Sequence, residues 1–226
     1  MKNKKIIRII SVFLIAAVSS LFLINYYSGQ NSNNQNTYKV YNNERYDNDK
    51  ILGNINASLT LIEYGSLTCI HCANFHTNEF VTLKNEFIDT GKIKYIYRHF
   101  PLDKVALVLS YVAEKIPEKN YYDFIMDIYK DQDSLRSLNS TEYLKKVTNK
   151  YLTEDELNKI LNDPNGEALI DKIVSNKAKF IEKFEVEGTP TFYLYGPNNL
   201  NMKLSKDNVK DIITSLNKTG INLNNK

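Results

Sequence analysis

Cysteine is scarce in this sequence: Cys69 and Cys72 are the only two in 226 residues. That scarcity excludes a disulfide-stapled scaffold, because a bridge between such near neighbours would stabilise the fold by only about 2 kcal/mol. No second Cys-x-x-Cys and no histidine pair accompanies them. A zinc site would therefore have to draw on Cys69, Cys72 and His76, with His71 or His99 as a fourth ligand, and no metal is expected. Ala73 rather than histidine follows Cys72, which removes covalent haem attachment, and no other cofactor is expected. Tryptophan is absent, a bias that goes with the abundance of Tyr, Asn, Lys and Ile and carries no functional information. Internal repeats are lacking as well.

A basic surface is also missing once the N-terminus is set aside. Lys2, Lys4, Lys5 and Arg8 precede an uncharged, strongly apolar stretch from Ile9 to Ile24. That is the layout of a secretory signal, slightly long for a cleaved one and slightly short for a spanning helix. Residues 1–29 are therefore expected to be a signal peptide or an N-terminal membrane anchor, with cleavage favoured. Either places the remainder outside the cytoplasm, in the periplasm. Without those four cations the formal net charge moves from +3 to about −1, so nothing suggests nucleic acid as a partner. The polar tract Gln30 to Asn36 reads as part of a solvated linker over residues 30–50.

What is present is an alternation of strand and helix patterns. Leu59 to Tyr64 reads as a short buried strand and Gly65 to Thr68 as the turn that follows. Cys69 to about Thr90 reads as an amphipathic helix ending near Gly91, with Phe75, Phe80, Leu83 and Phe87 at mixed helical spacing. Ile93 to Phe100 alternates as a second strand stopped by Pro101, giving a βαβ unit with a parallel pair. Residues 103–184 read as helical in five segments: Val105 to Ile116, Tyr121 to Tyr129, Thr141 to Tyr151, Thr153 to Leu161 and Glu167 to Phe184. The fourth opens with a Thr153/Glu156 capping box. Thr191 to Tyr195 returns to strand, a turn spans Gly196 to Asn199, and a weak strand lies around Met202 to Leu204. A helix from Lys206 to Leu216 would end an α/β domain over residues 51–218, leaving a frayed tail at 219–226.

The position of the cysteines supplies their chemistry. A helix N-terminus presents unpaired backbone N–H groups and the positive end of the dipole, and so stabilises a thiolate at Cys69. A cationic His71 would add to that. Cys69 is expected to be the exposed attacking sulfur, and Cys72, one turn inside, the resolving one. Whatever stabilises the Cys69 thiolate stabilises the dithiol over the disulfide and makes the disulfide an oxidant.

Cys69-Ile70-His71-Cys72 after a strand and turn, with Gly188-Thr189-Pro190-Thr191-Phe192 before a later strand, resembles the thioredoxin superfamily. The helical insertion narrows the resemblance to the DsbA family of thiol:disulfide oxidoreductases. Leu52-Gly53-Asn54 and Arg98-His99-Phe100-Pro101-Leu102 are similar to that family too. The resemblance implies a thioredoxin-like α/β fold with an inserted all-helical subdomain, about 103–184. It implies that Pro190 is a cis-proline facing the active-site disulfide, with the Thr189 backbone open to an extended substrate. It also implies that Glu63 is a buried acid beneath the site, of raised pKa, relaying a proton to or from Cys72; its alternative is a surface charge at a sheet edge. Ile70 stands where the family commonly has proline and would meet the substrate. His76 and His99 are read as partly buried structural residues. The expected function is the introduction of disulfides into reduced exported proteins by a monomer, with reoxidation by a quinone-linked membrane oxidase of DsbB type. The alternatives are a reductase or isomerase of the same fold, for which an upstream dimerisation domain would have argued, and a non-catalytic binder of unfolded chains.

Overall fold

Strands β1 (Ile51–Gly53), β2 (Leu59–Gly65), β3 (Ile93–His99), β4 (Thr191–Gly196) and β5 (Leu200–Lys203) form one sheet in the order β1-β3-β2-β4-β5. The structure, a computed structural model, describes Tyr46 and residues 49–204. The expected signal or anchor, most of the linker, the C-terminal helix and the tail lie outside the described residues. Among the described residues no helix is long and apolar enough to cross a membrane.

Only β2 and β3 run parallel, with Glu63 opposite Tyr97; β4 is antiparallel to β2 and sets Phe192 against Glu63 on its other side. β2 is therefore central, and all seven of its residues are buried, which explains why its pattern is mostly apolar instead of alternating. The period-two alternation of side chains divides the sheet into two faces. Leu59, Leu61, Tyr95, Tyr97, Phe192 and Leu194 belong to the larger core, and Ile62, Tyr64, Ile96, Tyr193 and Tyr195 to the smaller. Glu63 shares the parity of the first set.

The helical run 70–88, α1, covers the larger-core face. It is not a uniform α-helix: Phe75–Glu79 and Lys84–Ile88 are π-helical, with Phe80 N–H bonded to Phe75 O and Asp89 N–H to Lys84 O. The five-residue step from Phe75 to Phe80 lets both rings reach the core, where a plain α-helix would have turned one aside. The mixed spacing in the sequence was the trace of these bulges.

The helical insertion consists of α2 (Lys104–Lys115), α3 (Tyr121–Lys130), α4 (Gln132–Ser137), α5 (Ser140–Thr148), α6 (Glu154–Leu161) and α7 (Gly166–Phe184). The Thr153/Glu156 capping box is formed at the start of α6. The nineteen-residue α7 reaches from one core to the other, burying Ile173 in the larger and Phe180 and Phe184 in the smaller. Two elements depart from expectation. Strand β1 was not read as a strand because three residues leave no periodicity. The six-residue α4 was missed because its apolar content is a single leucine.

Candidate active site

Gly65 closes β2 because the Tyr97 ring crosses its end; a Cβ there would lie 2.4 Å from that ring. The chain then turns through Ser66, Leu67 and Thr68, and the turn is held largely from the helical insertion. Tyr129 Oη donates to Ser66 O at 3.2 Å, and Gln132 Nε2 donates to Leu67 O at 3.0 Å. Thr68 Oγ1 donates to Asp103 Oδ2 at 2.7 Å, while the other Asp103 oxygen caps α2 through Ala106 N–H at 2.8 Å. These four contacts fix the residue that follows, Cys69, which is the N-cap of α1.

Both cysteines are free thiols. Cys72 N–H points at Cys69 Sγ at 3.4 Å, and Cys69 Sγ lies 3.3 Å from Thr189 O, to which the thiol donates. The Cys69 pKa is lowered from 9.0 to about 5. The first cause is the hydrogen bond from the Cys72 side chain, which together with the Thr189 side chain and the backbone N–H groups of Cys72 and His71 outweighs burial. Cys72 moves the opposite way: burial first, then its bond to Cys69 and the nearby Glu63, push its thiol well above the usual range. One sulfur is an anion at neutral pH and its neighbour is not.

Cys69 is less open than expected. It is 7% exposed and Cys72 0%, because the Thr189-Pro190 loop is drawn over the first sulfur. The peptide bond between Thr189 and Pro190 is cis, and the backbone of Thr189 faces Cys69. Ile70 is 49% exposed beside it. The His71 ring also lies in solvent and makes no hydrogen bond among the described residues; its backbone N–H is the group that reaches the sulfur. The thiolate is thus held by the helix start and not by an imidazole contact.

Glu63 is fully buried rather than at a sheet edge. Its Oε2 accepts from Tyr95 Oη at 2.5 Å and meets His76 Nε2 at 3.0 Å, while Oε1 is buried with no partner. His76 is therefore part of the site and His99 is not: His99 pairs with Glu114 at 3.4 Å and Tyr121 at 3.0 Å, nearer the insertion. Sequence reasoning left His76 out of the site, although it stands four residues after Cys72 and so on the same helix face. It also missed Asp103, Tyr129 and Gln132, for which no local signal exists. Among the described residues no three His, Cys, Asp or Glu side chains converge as a metal cluster would require.

The acidified sulfur makes a direct prediction. A thiolate alkylates and a thiol does not, so labelling of the reduced protein by iodoacetamide should rise through about pH 5 and be flat at neutral pH. Peptide mapping should find the label at Cys69, with Cys72 untouched until strongly alkaline pH. A single labelling midpoint near 8.5, the ordinary cysteine value, would contradict this geometry.

A thioredoxin family model matches residues 45–215. Over 163 residues the chain is 30% identical to a Rickettsia bellii protein assigned as a protein-disulfide oxidoreductase, covering 70% of this chain and 61% of that one. The chain spans about three-fifths of the length of the first curated relatives it matches. Among solved structures it is similar to alpha-DsbA1 of Wolbachia pipientis, at 30% identity and a TM-score of 0.66, covering 77% of this chain and 92% of that one. Oxidised BdbD of Bacillus subtilis shares the fold at 18% identity and a TM-score of 0.63, covering 76% and 92%.

Proposed function

Because the chain belongs to the DsbA family of the thioredoxin superfamily, we propose that it is an exported oxidant that places disulfide bonds in other exported proteins. One observation carries the reading: the Cys69 thiol is drawn down to about 5 while Cys72 is pushed well above its ordinary value. A thiolate stabilised in the dithiol form makes the reduced protein the favoured product, so the disulfide form readily gives its bond away.

The exchange has two steps. A substrate thiolate attacks Cys69 Sγ of the Cys69–Cys72 disulfide; a mixed disulfide forms and Cys72 leaves with the electron pair, taking a proton. A second substrate thiolate attacks the substrate sulfur of that mixed disulfide, and Cys69 leaves as the stable thiolate. The substrate is oxidised and the protein is a dithiol. Cys69 suits the second step, in which it leaves, since a low thiol pKa makes a good leaving group. Ile70, Thr189 and Pro190 border the sulfur, and the Thr189 backbone is suited to pair with an extended substrate strand. Glu63 is the carboxyl whose charge bears on Cys72, and in this reading it serves the Cys72 proton. Reduced exported proteins are the substrates in this reading. A quinone-linked membrane oxidase of DsbB type restores the disulfide, and the protein works as a periplasmic monomer delivered by residues 1–29.

The test is oxidation of a reduced, unfolded protein of known disulfides by stoichiometric oxidised protein, with the Cys69/Cys72 couple equilibrated against glutathione in parallel. Rapid formation of substrate disulfides and a potential above that of glutathione support the oxidant. A potential well below glutathione would make it a reductase, and binding without thiol loss would make it a holdase.

A further inference from the structure

Below the cysteines lies an imidazole to which the exchange as written gives no task. His76 is 1% exposed, and its ring is engaged at both nitrogens: Nε2 with Glu63 Oε2 at 3.0 Å and Nδ1 with Met126 Sδ at 3.3 Å. The titratable groups that face it come from every element around it. Glu63 comes from β2, Tyr97 from β3 and Tyr129 from α3; Tyr95, also on β3, reaches it through Glu63, and Cys72 stands four residues earlier on its own helix. Tyr129 stacks on the ring at 4.4 Å, and Tyr97 meets it edge-on at 6.2 Å. Burial pushes all three of these phenols well above their ordinary range, so none of them gives up a proton in working conditions. Among the described residues no lysine or arginine pairs with Glu63. Its second oxygen, Oε1, is buried with no partner. The pocket thus holds one carboxyl and one imidazole in contact, sealed from solvent, beneath a thiol that must gain and lose a proton once per cycle.

Resting on the dithiol–disulfide reading of Cys69 and Cys72, we propose that His76 is a positioning residue that shares a proton with Glu63 and so governs when Cys72 can accept or release its own. When the protein disulfide is opened at Cys69, the electron pair of the broken S–S bond goes to Cys72 Sγ. The Glu63–His76 pair supplies the proton that turns it into a thiol. In the reverse direction Cys72 returns that proton to the pair, and its sulfur attacks Cys69 Sγ of a mixed disulfide. The bond to the outgoing sulfur breaks, and that group leaves as a thiolate. No oxidant or reductant beyond the disulfide being exchanged is required. The advantage over a lone buried carboxyl is a second atom, His76 Nε2, on which the shared proton can rest.

The experiment uses dithionitrobenzoate, an aromatic disulfide whose released thiol is coloured, mixed with the reduced protein in a stopped-flow instrument. The first coloured thiol reports attack by Cys69; the second reports attack by Cys72 on the mixed disulfide. His76→Gln retains a hydrogen-bond donor for Glu63 but cannot take up a proton. Its first phase should stay within about twofold of wild type, while the second slows by about tenfold or more and loses its pH dependence. Adding Glu63→Gln should slow that phase little further, because the two residues act as one unit. A second phase unchanged in His76→Gln, or slowed equally at every pH, would overturn the proposal and leave His76 a packing residue.

A second measurement needs no variant. The ring resonances of His76 in the wild-type protein, followed by NMR against pH, should titrate differently in the dithiol and disulfide forms. Identical titrations would also overturn the proposal. The reagent reports the cysteine pair in whichever direction the protein works on other proteins. A failure to donate disulfides would therefore refute the oxidant reading and leave this result standing.

Discussion

Cys72→Ser protein, incubated with reduced unfolded polypeptides and an oxidant, should accumulate mixed disulfides at Cys69 that survive non-reducing electrophoresis. The serine removes the only sulfur placed to attack the bond between Cys69 and a substrate, so adducts that would be cleared in wild type persist. Cys69→Ser should form almost none, because the remaining thiol is fully buried and its pKa is pushed well above the neutral range. Both variants should lose substrate oxidation by on the order of a thousandfold or more, since the two sulfurs act as one unit. Comparable adducts from the two would mean that the attacking and resolving roles are reversed. No substitution here should cost less stability for so large a loss of function, because each change is one atom in a well-packed site.

Asp49→Ala should have the opposite profile, a large loss of stability with the Cys69 thiol still reactive. Arg98 lies on the sheet face away from Glu63, held by both Asp49 oxygens at 3.0 and 2.7 Å and by Tyr64 Oη at 3.0 Å. Its guanidinium sits 4.5 Å from the Tyr46 ring centroid, and both partners of the ion pair are 4% exposed. Removing the aspartate takes from a buried cation the bidentate carboxylate that holds it among the described residues, which costs about 3–5 kcal/mol. Set against a total stability of about 5–15 kcal/mol for an ordinary domain, that is enough to move the urea midpoint far to the left. The pair itself need not be net stabilising, because both ions were taken out of water. Combining Asp49→Ala with Arg98→Met should therefore recover much of the loss. If the double variant is as unstable as the sum of its parts, Arg98 is needed for its aromatic contacts and not only as a charge to be neutralised.

The legible part of the site was its chemistry at short range. Cys69 and Cys72 at the join of a buried strand and a helix, the strand–turn–helix–strand unit, the long helical insertion and its capping box all depend on neighbours within a few residues. So does the reading of Thr189-Pro190 as the segment before a strand. These features follow from periodicity, turn chemistry and spacing, and each has the form that the sequence implies. Even the π-bulges of α1 left a mark, in the step of five from Phe75 to Phe80.

The groups that position the sulfurs from other segments could not be read that way. Asp103, Tyr129 and Gln132 grip the active-site turn from more than thirty residues away, and chain proximity says nothing of such contacts. His71, two residues from Cys69, seemed the natural partner of the sulfur, yet its ring points to solvent and only its backbone N–H contributes, less than Cys72 does. His76 seemed a bystander until the register of β2 against β3 put Glu63, Tyr95 and Tyr97 on one face beneath it. By itself the sequence pointed to Cys69 and Cys72 as the candidate reactive pair and to the local element that bears each. Only the tertiary structure decided how far each sulfur is buried and which acid and imidazole share its pocket. Burial and long-range contact set a thiol's acidity, and both are properties of packing between segments, not of any segment alone.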